Sequence, residues 1–245
     1  MATGVLLDID GVLYVGDDPI DGAHAALAQL RERADGLALV TNTTSRPRRA
    51  IGEHLRALGF AVDDEEIHTP ATIAVAHARE RGYDRVALVV GDALLEDLAD
   101  LPAVTLDAGP VDAVVLGELG DAYGPATLNP ALRALLDGAE LLALGHNRYY
   151  RRPDGLALDV GAWSAALEYG SGREAIVLGK PSATFFAAAL GAIGVAAADA
   201  VMVGDDLEAD VGGALDAGLR GVLVRTGKFR VDALAASDVT PSAIV

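Results

Sequence analysis

The sequence predicts an α/β protein: a Rossmann-like core built on a largely parallel sheet, with a smaller α/β cap domain inserted into it. Two observations carry that expectation. Short apolar runs alternate with helical patterns along the whole of the 245-residue chain, the signature of parallel strands joined by crossover helices. The residues suited to chemistry also gather near both ends of the chain, while the middle has a strand-helix pattern of its own and a different polar loop.

Taken in order, Val5 to Ile9, apolar except for Asp8, reads as the first strand. Gly22 to Arg33 follows with Ala23, Ala26, Leu27 and Leu30 on one helical face. Leu37 to Thr41 is the second strand. Pro47 can open the next helix and Gly59 can close it, with Ile51, Leu55 and Leu58 on its buried side. Thr69 and Pro70 suit an N-cap and first helical position for a helix ending near Gly82. Further strands fit Arg85 to Gly91, Val111 to Gly117, Leu141 to Gly145, Ala175 to Gly179, Ala200 to Gly204 and Gly221 to Arg225. Since no Pro/Gly/Ser linker marks a boundary, motif placement sets the expected domains: residues 1–76 and 176–245 as core, 77–175 as cap.

Composition removes several classes of function. The chain has no cysteine, which excludes disulfides, thiolate nucleophiles and cysteine-ligated zinc. Nineteen basic against 36 acidic residues give a net charge of -17, which repels nucleic acid and anionic lipid; neither is an expected partner. No uncharged apolar run approaches the roughly 20 residues that span a bilayer, and the first residues lack a signal-peptide pattern. The expectation is a cytoplasmic protein away from the membrane.

Asp8-Ile9-Asp10-Gly11 directly follows the first strand, so Asp8 stands at a strand end and Asp10, two residues on, faces the same side. Asp205-Asp206-Leu207-Glu208-Ala209-Asp210 follows a later strand in the same way. Carboxylates converging to about 4 Å repel by roughly 1 to 4 kcal/mol per pair, so a cation or raised pKa values must offset them. Oxygen ligands with room for water and phosphate suit magnesium. Thr41-Asn42-Thr43-Thr44-Ser45 ends the second strand and offers hydroxyls and N–H groups to an anion. Lys180, between Gly179 and Pro181, supplies the positive charge an anionic substrate needs, and Ser182 can cap the helix behind it.

As an ordered set, Asp8-Ile9-Asp10-Gly11, Thr41, Lys180 and Gly204-Asp205-Asp206 with Asp210 resemble the four motifs of the haloacid dehalogenase superfamily. The long insertion between Thr41 and Lys180 looks like that family's type IIA α/β cap. The resemblance implies a phosphatase acting on a small phosphorylated metabolite. Asp8 would be the nucleophile and Asp10 the general acid and base. Thr41, Asn42 and Lys180 would bind phosphate. Asp8, the Asp10 carbonyl and Asp205 would hold Mg2+, with Asp206 and Asp210 in an outer shell. It also points to homodimers formed through the cap. In the cap, Asn147, Arg148 and Tyr149 form the most binding-like loop, a cation beside an aromatic face, whereas Trp163 reads as packing.

Other functions compete with this one. A dehalogenase has no use for the second acid, whereas a phosphate ester's leaving alkoxide does, which favours the phosphatase; a phosphomutase uses the same acid pair. A receiver-like signalling module also combines Asp, Thr, Lys and magnesium, but it places its acceptor on a later strand and carries no long insert. A dinucleotide-binding dehydrogenase needs a Gly-x-Gly-x-x-Gly turn after the first strand, where Asp8 stands instead. A silent phosphate-binding protein would not need the full catalytic set.

Overall fold

The computed structural model describes residues 3–152 and 154–245. It begins with strand β1 (Gly4–Asp8), a small hairpin of β2 (Tyr14–Val15) and β3 (Asp18–Pro19), helix α1 (Ala23–Arg33), strand β4 (Gly36–Val40), helix α2 (Arg48–Ala57) and strand β5 (Ile67–His68). There follow α3 (Pro70–Arg81), β6 (Val86–Val89), β7 (Ala103–Val104), β8 (Ala113–Leu116), α4 (Pro125–Leu136), β9 (Glu140–Ala143), β10 (Tyr149–Arg152), β11 (Gly155–Leu158), α5 (Val160–Ser171) and β12 (Ala175–Val177). The chain ends with α6 (Ala183–Ile193), β13 (Ala200–Gly204), α7 (Gly213–Asp216), β14 (Arg220–Leu223), α8 (Val231–Ala236) and β15 (Ala243–Ile244). No helix among the described residues is long and apolar enough to cross a membrane.

Contacts divide the chain into two compact units, the first holding residues through Thr41, Arg48–Thr69 and Lys180–Val245, the second Asn42–Pro47 and Pro70–Gly179. The sequence pattern suggested breaks at 76/77 and 175/176, which would cut α3 and β12. The observed breaks at 69/70 and 179/180 fall between elements and leave both whole.

In the first unit the sheet order is β15-β14-β13-β1-β4-β5, parallel throughout. All five residues of β1 are buried, as expected of a central strand covered on both faces. Ile51 and Leu55 of α2 join Val5, Leu7, Leu39 and Ile67 in one core, each such side chain contributing about 1.5–3 kcal/mol of burial free energy. Gly59 ends α2 as the sequence suggests. Its φ is +89°, its N–H donates to the Arg56 carbonyl at 3.0 Å, and the Phe60 N–H reaches back to Leu55 at 3.0 Å, the Schellman pairing that satisfies the last carbonyls. One expectation for α1 fails: Ala26 is exposed. Ala23, Leu27 and Leu30 lie within about 40° of one direction at 100° per residue, while Ala26 sits about 60° to the side, at the edge of the buried stripe.

The second unit has its own parallel sheet, in the order β12-β9-β8-β6-β7, and its own core, in which Leu135, Leu141, Val160 and Leu167 pack against Val114 and Leu116. Trp163 lies at the edge of that core and stacks on Tyr123, ring centroids 4.8 Å apart, in keeping with a packing role. A separate hairpin, β10 with β11, lies in sequence between β9 and α5. Asn147 and Arg148 lead into it, and Tyr149, expected in a loop, is its first strand residue.

Candidate active site

Asp8 is the last residue of β1 and is buried. The strand is apolar because it runs through the middle of the sheet, and its end is the first place where a carboxylate can face the pocket edge. The chain then turns sharply: Gly11 has φ +84° and donates its N–H to the Tyr14 carbonyl at 2.8 Å. Asp10, within this turn, is exposed. Register carries the neighbouring strands to the same edge. Asp8 stands opposite Val40, so Thr41 is one residue beyond; Leu7 stands opposite Val203, so Asp205 also follows at the strand end. Thr41 is buried and its N–H donates to the His68 carbonyl at 3.1 Å.

After β13 the chain enters a wide helical turn over Leu207–Gly212, in which the Val211 N–H reaches the Asp206 carbonyl five residues back at 3.2 Å. That turn places the Asp210 side chain beneath the strand end, where its Oδ2 accepts from the Asp206 N–H at 3.1 Å. Gly204 is required there, because a Cβ would run into the Asp210 carboxylate. Asp206 caps the turn: its Oδ1 accepts from the N–H groups of Glu208 at 3.2 Å and Ala209 at 3.0 Å, and its Oδ2 pairs with the exposed Lys228 ammonium at 3.1 Å.

Lys180 is buried between two of these acids, its Nζ 2.5 Å from Asp8 Oδ1 and 2.7 Å from Asp210 Oδ1. Ser182 caps α6, accepting from the Phe185 N–H at 3.2 Å, which fixes the helix directly behind Lys180.

Three buried carboxylates, Asp8, Asp205 and Asp210, therefore meet one buried ammonium. Burial, more than any neighbour, pushes the Asp8 carboxyl up to about 7; Lys180 opposes this and Asp210 adds to it. Burial likewise raises Asp205, against the pull of the Lys228 N–H. Burial alone would lower Lys180, but Asp210 and Asp8 outweigh it and hold the ammonium charged. For Asp206 burial is outweighed in turn by the Ala209 N–H and Lys228, which hold it below the usual carboxylate range.

One oxygen from each of Asp8, Asp205 and Asp210 lies within 4.8 Å of the others. Asp205 Oδ1 is buried and has no hydrogen-bond partner among the described residues. A buried carboxylate oxygen without a donor is costly, and an all-oxygen set with excess negative charge suits a hard divalent cation. The residues fit magnesium. Asp210, which the family resemblance would put in an outer shell, stands in this carboxylate group itself.

Asn42 falls in the second unit, as do Asn147, Arg148 and Tyr149, all three exposed. The cap loop is well anchored. The Gly161 N–H donates to the Asn147 carbonyl at 3.1 Å and the Asp159 N–H to the Arg148 carbonyl at 3.2 Å. A Cβ at Gly161 would run into the backbone of His146 and Asn147. The sequence reading gave no part to the Thr226–Lys228 turn beyond β14, which touches both the Gly11 turn and Asp205. Its one signal was a threonine and a glycine just past a strand that ends at the catalytic edge.

Two family models match the chain. The model for haloacid dehalogenase-like hydrolases matches residues 5–102 and a second, HAD-hydrolase-like, matches 177–245. Human haloacid dehalogenase-like hydrolase domain-containing protein 2 is 42% identical over 226 residues, covering 92% of this chain and 85% of the relative. The rat phospholysine phosphohistidine inorganic pyrophosphate phosphatase is 40% identical over 233 residues, covering 93% and 84%. Among solved structures, a glycerol phosphate phosphatase from Mycobacterium tuberculosis, in complex with magnesium, superposes with a TM-score of 0.82 at 31% identity, covering 99% of this chain and 74% of that one. By motif order, fold and sequence alike, this chain belongs to the haloacid dehalogenase-like hydrolases.

Proposed function

We propose that this phosphatase is magnesium-dependent and hydrolyses small phosphorylated metabolites through an aspartyl phosphate on Asp8. The observation that carries the proposal is the buried group in which Lys180 bridges Asp8 and Asp210 beside an Asp205 oxygen that has no hydrogen-bond partner among the described residues. Asp8, Asp205 and the Asp10 backbone carbonyl would hold the ion, with Asp210 close enough to complete the set and Asp206 outside it. When bound, magnesium supplies the positive charge that offsets the clustered carboxylates and the phosphoryl oxygens.

The protein's own groups do the rest. An Asp8 carboxyl pushed up to about 7 by burial must be ionised to attack phosphorus, and the Lys180 ammonium at 2.5 Å favours the charged form. As Asp8 oxygen bonds to phosphorus, the bond to the leaving oxygen breaks, and Asp10 gives that oxygen its proton. Asp10, now a carboxylate, takes a proton from water as the water attacks the aspartyl phosphate, which releases phosphate and restores Asp8. Asp10 suits both steps because it is accessible while Asp8 is buried. Thr41 and Lys180 hold the phosphoryl oxygens, with Asn42 beside Thr41 in sequence. This is positioning and charge neutralisation, the main requirements of phosphoryl transfer.

The test is phosphate release from a panel that includes glycerol phosphate, pyrophosphate and phospholysine, the substrate types in the relatives' names, together with sugar phosphates and nucleoside monophosphates. Wild type should release phosphate only with magnesium, Asp8→Asn should release none, and Asp10→Asn should at most phosphorylate slowly. Wild-type turnover by either variant would sink the mechanism; phosphoryl transfer to a second substrate hydroxyl without release would mark a mutase. In the cap, Arg148→Ala should change the ranking of substrates more than the melting temperature. Equal losses on all of them with a lower melting temperature would make Arg148 structural.

A further inference from the structure

The turn at Thr226–Lys228 touches the catalytic edge in three places. The Thr226 hydroxyl donates to the Gly11 carbonyl, directly after the Asp8–Asp10 motif. The Lys228 backbone N–H donates to Asp205 Oδ2 at 2.7 Å. Gly227, at φ +54°, packs so closely that a Cβ there would collide with both the Asp205 carboxylate and Gly11 Cα. Gly11 meets the same carboxylate oxygen beside Gly227, and a Cβ on it would also run into Asp205. Two adjoining glycines, from turns more than 200 residues apart in sequence, thus pack against one oxygen of Asp205.

The consequence for Asp205 is an unequal pair of oxygens. Oδ2 is held by the Lys228 N–H and crowded by the glycines, while Oδ1 is buried and has no hydrogen-bond partner among the described residues. We infer that Thr226–Lys228 is a positioning turn, which fixes Asp205 as a one-oxygen ligand by occupying Oδ2, aiming Oδ1 at the cation and locking the Gly11 turn against it. The inference rests on the magnesium-dependent reading above. Partners of this kind, one bond removed from a metal, orient the ligating carboxylate and typically govern affinity by about 10- to 100-fold. The Lys228 contribution is through its backbone, since its ammonium points to Asp206. Thr226 acts through its side chain and is the residue to test.

The experiment is Mn2+ binding to the full chain, followed by loss of the free-ion electron paramagnetic resonance signal and independent of turnover. Wild type, Thr226→Val, Thr226→Ser and Asp205→Asn would be compared, each with its metal-free melting temperature. Thr226→Val keeps the shape and loses the hydroxyl; it should weaken Mn2+ binding about ten-fold or more, and Thr226→Ser should restore it. A stability defect alone would lower the melting temperature without the affinity loss that serine reverses. Should the valine variant fail to fold, Thr226→Ala, which leaves space instead of a methyl group, gives the same comparison. Wild-type affinity in the variant lacking the hydroxyl, with binding lost in Asp205→Asn, would overturn the positioning role and leave the metal reading standing. Unchanged binding in Asp205→Asn would overturn the metal reading itself.

Discussion

Gly11 and Gly16 lie five residues apart in one turn region, both at positive φ, +84° and +65°. They differ in surroundings: a Cβ at Gly11 would collide with the Asp205 carboxylate, while one at Gly16 would meet nothing within 4 Å. Gly16→Ala should therefore cost only left-handed backbone strain, about 1–2 kcal/mol. Gly11→Ala should cost more and should also disturb the site, and urea unfolding of the two variants measures the difference. His68 gives a pH-dependent case. Burial first and Arg48 second lower its pKa below the usual imidazole value, so folding favours the neutral ring. That contribution is complete above about pH 6.5 and is lost as the pH falls below it. Wild type should lose melting temperature between pH 7.5 and 5.5, and His68→Gln should lose less; parallel curves would show that His68 does not titrate as inferred. At this scale the sequence was most legible where a side chain follows an apolar strand: Asp8, Thr41, Lys180 and Asp205 all do, and the parallel register brings Asp8, Thr41 and Asp205 to one edge. It was least legible where the contribution is a backbone N–H, as at Lys228, or the absence of a side chain, as at Gly227, since neither leaves a residue type that announces its purpose.

Strands and helices were legible in proportion to how completely they are buried. β8 and the β1 residues before Asp8 stand out as apolar runs because neighbouring strands and layers enclose them, β13 as an apolar run with every second residue buried, and α2 because Pro47 and Gly59 bracket a two-sided pattern. The two-residue strands β5, β7 and β15 are too short to show any period, and the β10–β11 hairpin has exposed Leu156 and Leu158 where alternation would put polar residues. The wide turn at Leu207–Gly212 is set by Asp206 capping and the close fit of Asp210 under Gly204, tertiary contacts that no periodicity encodes. The α6 start was legible, and it positions the lysine. Ser182 satisfies the Phe185 N–H, and Ser182→Ala should cost about 1 kcal/mol. Because the cap lies two residues after Lys180, the variant should also weaken phosphate binding; a loss of stability with unchanged KM would confine Ser182 to helix capping.

For the molecule as a whole, the insertion was visible because the motifs come in two clusters with a motif-poor strand-helix stretch between them, but its boundaries were not. Pro70 and Gly179 are where contacts change hands, and local sequence there says only that a helix begins and a strand has ended. The second unit is self-sufficient in a way that can be tested. Every strand pairing of its five-stranded sheet lies between Val86 and Val177, and the buried residues of its core lie between Ala87 and Leu167. A stretch of this size, in the usual range of independent domains, should fold when produced alone as residues 70–179. The expected outcome is a cooperative urea transition and a near-ultraviolet signal from Trp163 stacked on Tyr123. The first unit has no such independence in sequence, because β1, β4 and β5 need β13 and β14 from the far end of the chain to complete their sheet. Residues 1–69 alone should therefore remain unfolded. If the 70–179 fragment showed helical signal but no cooperative transition and no fixed Trp163 environment, its core would depend on the rest of the chain, and the insertion would be a lobe of one folding unit instead of a domain.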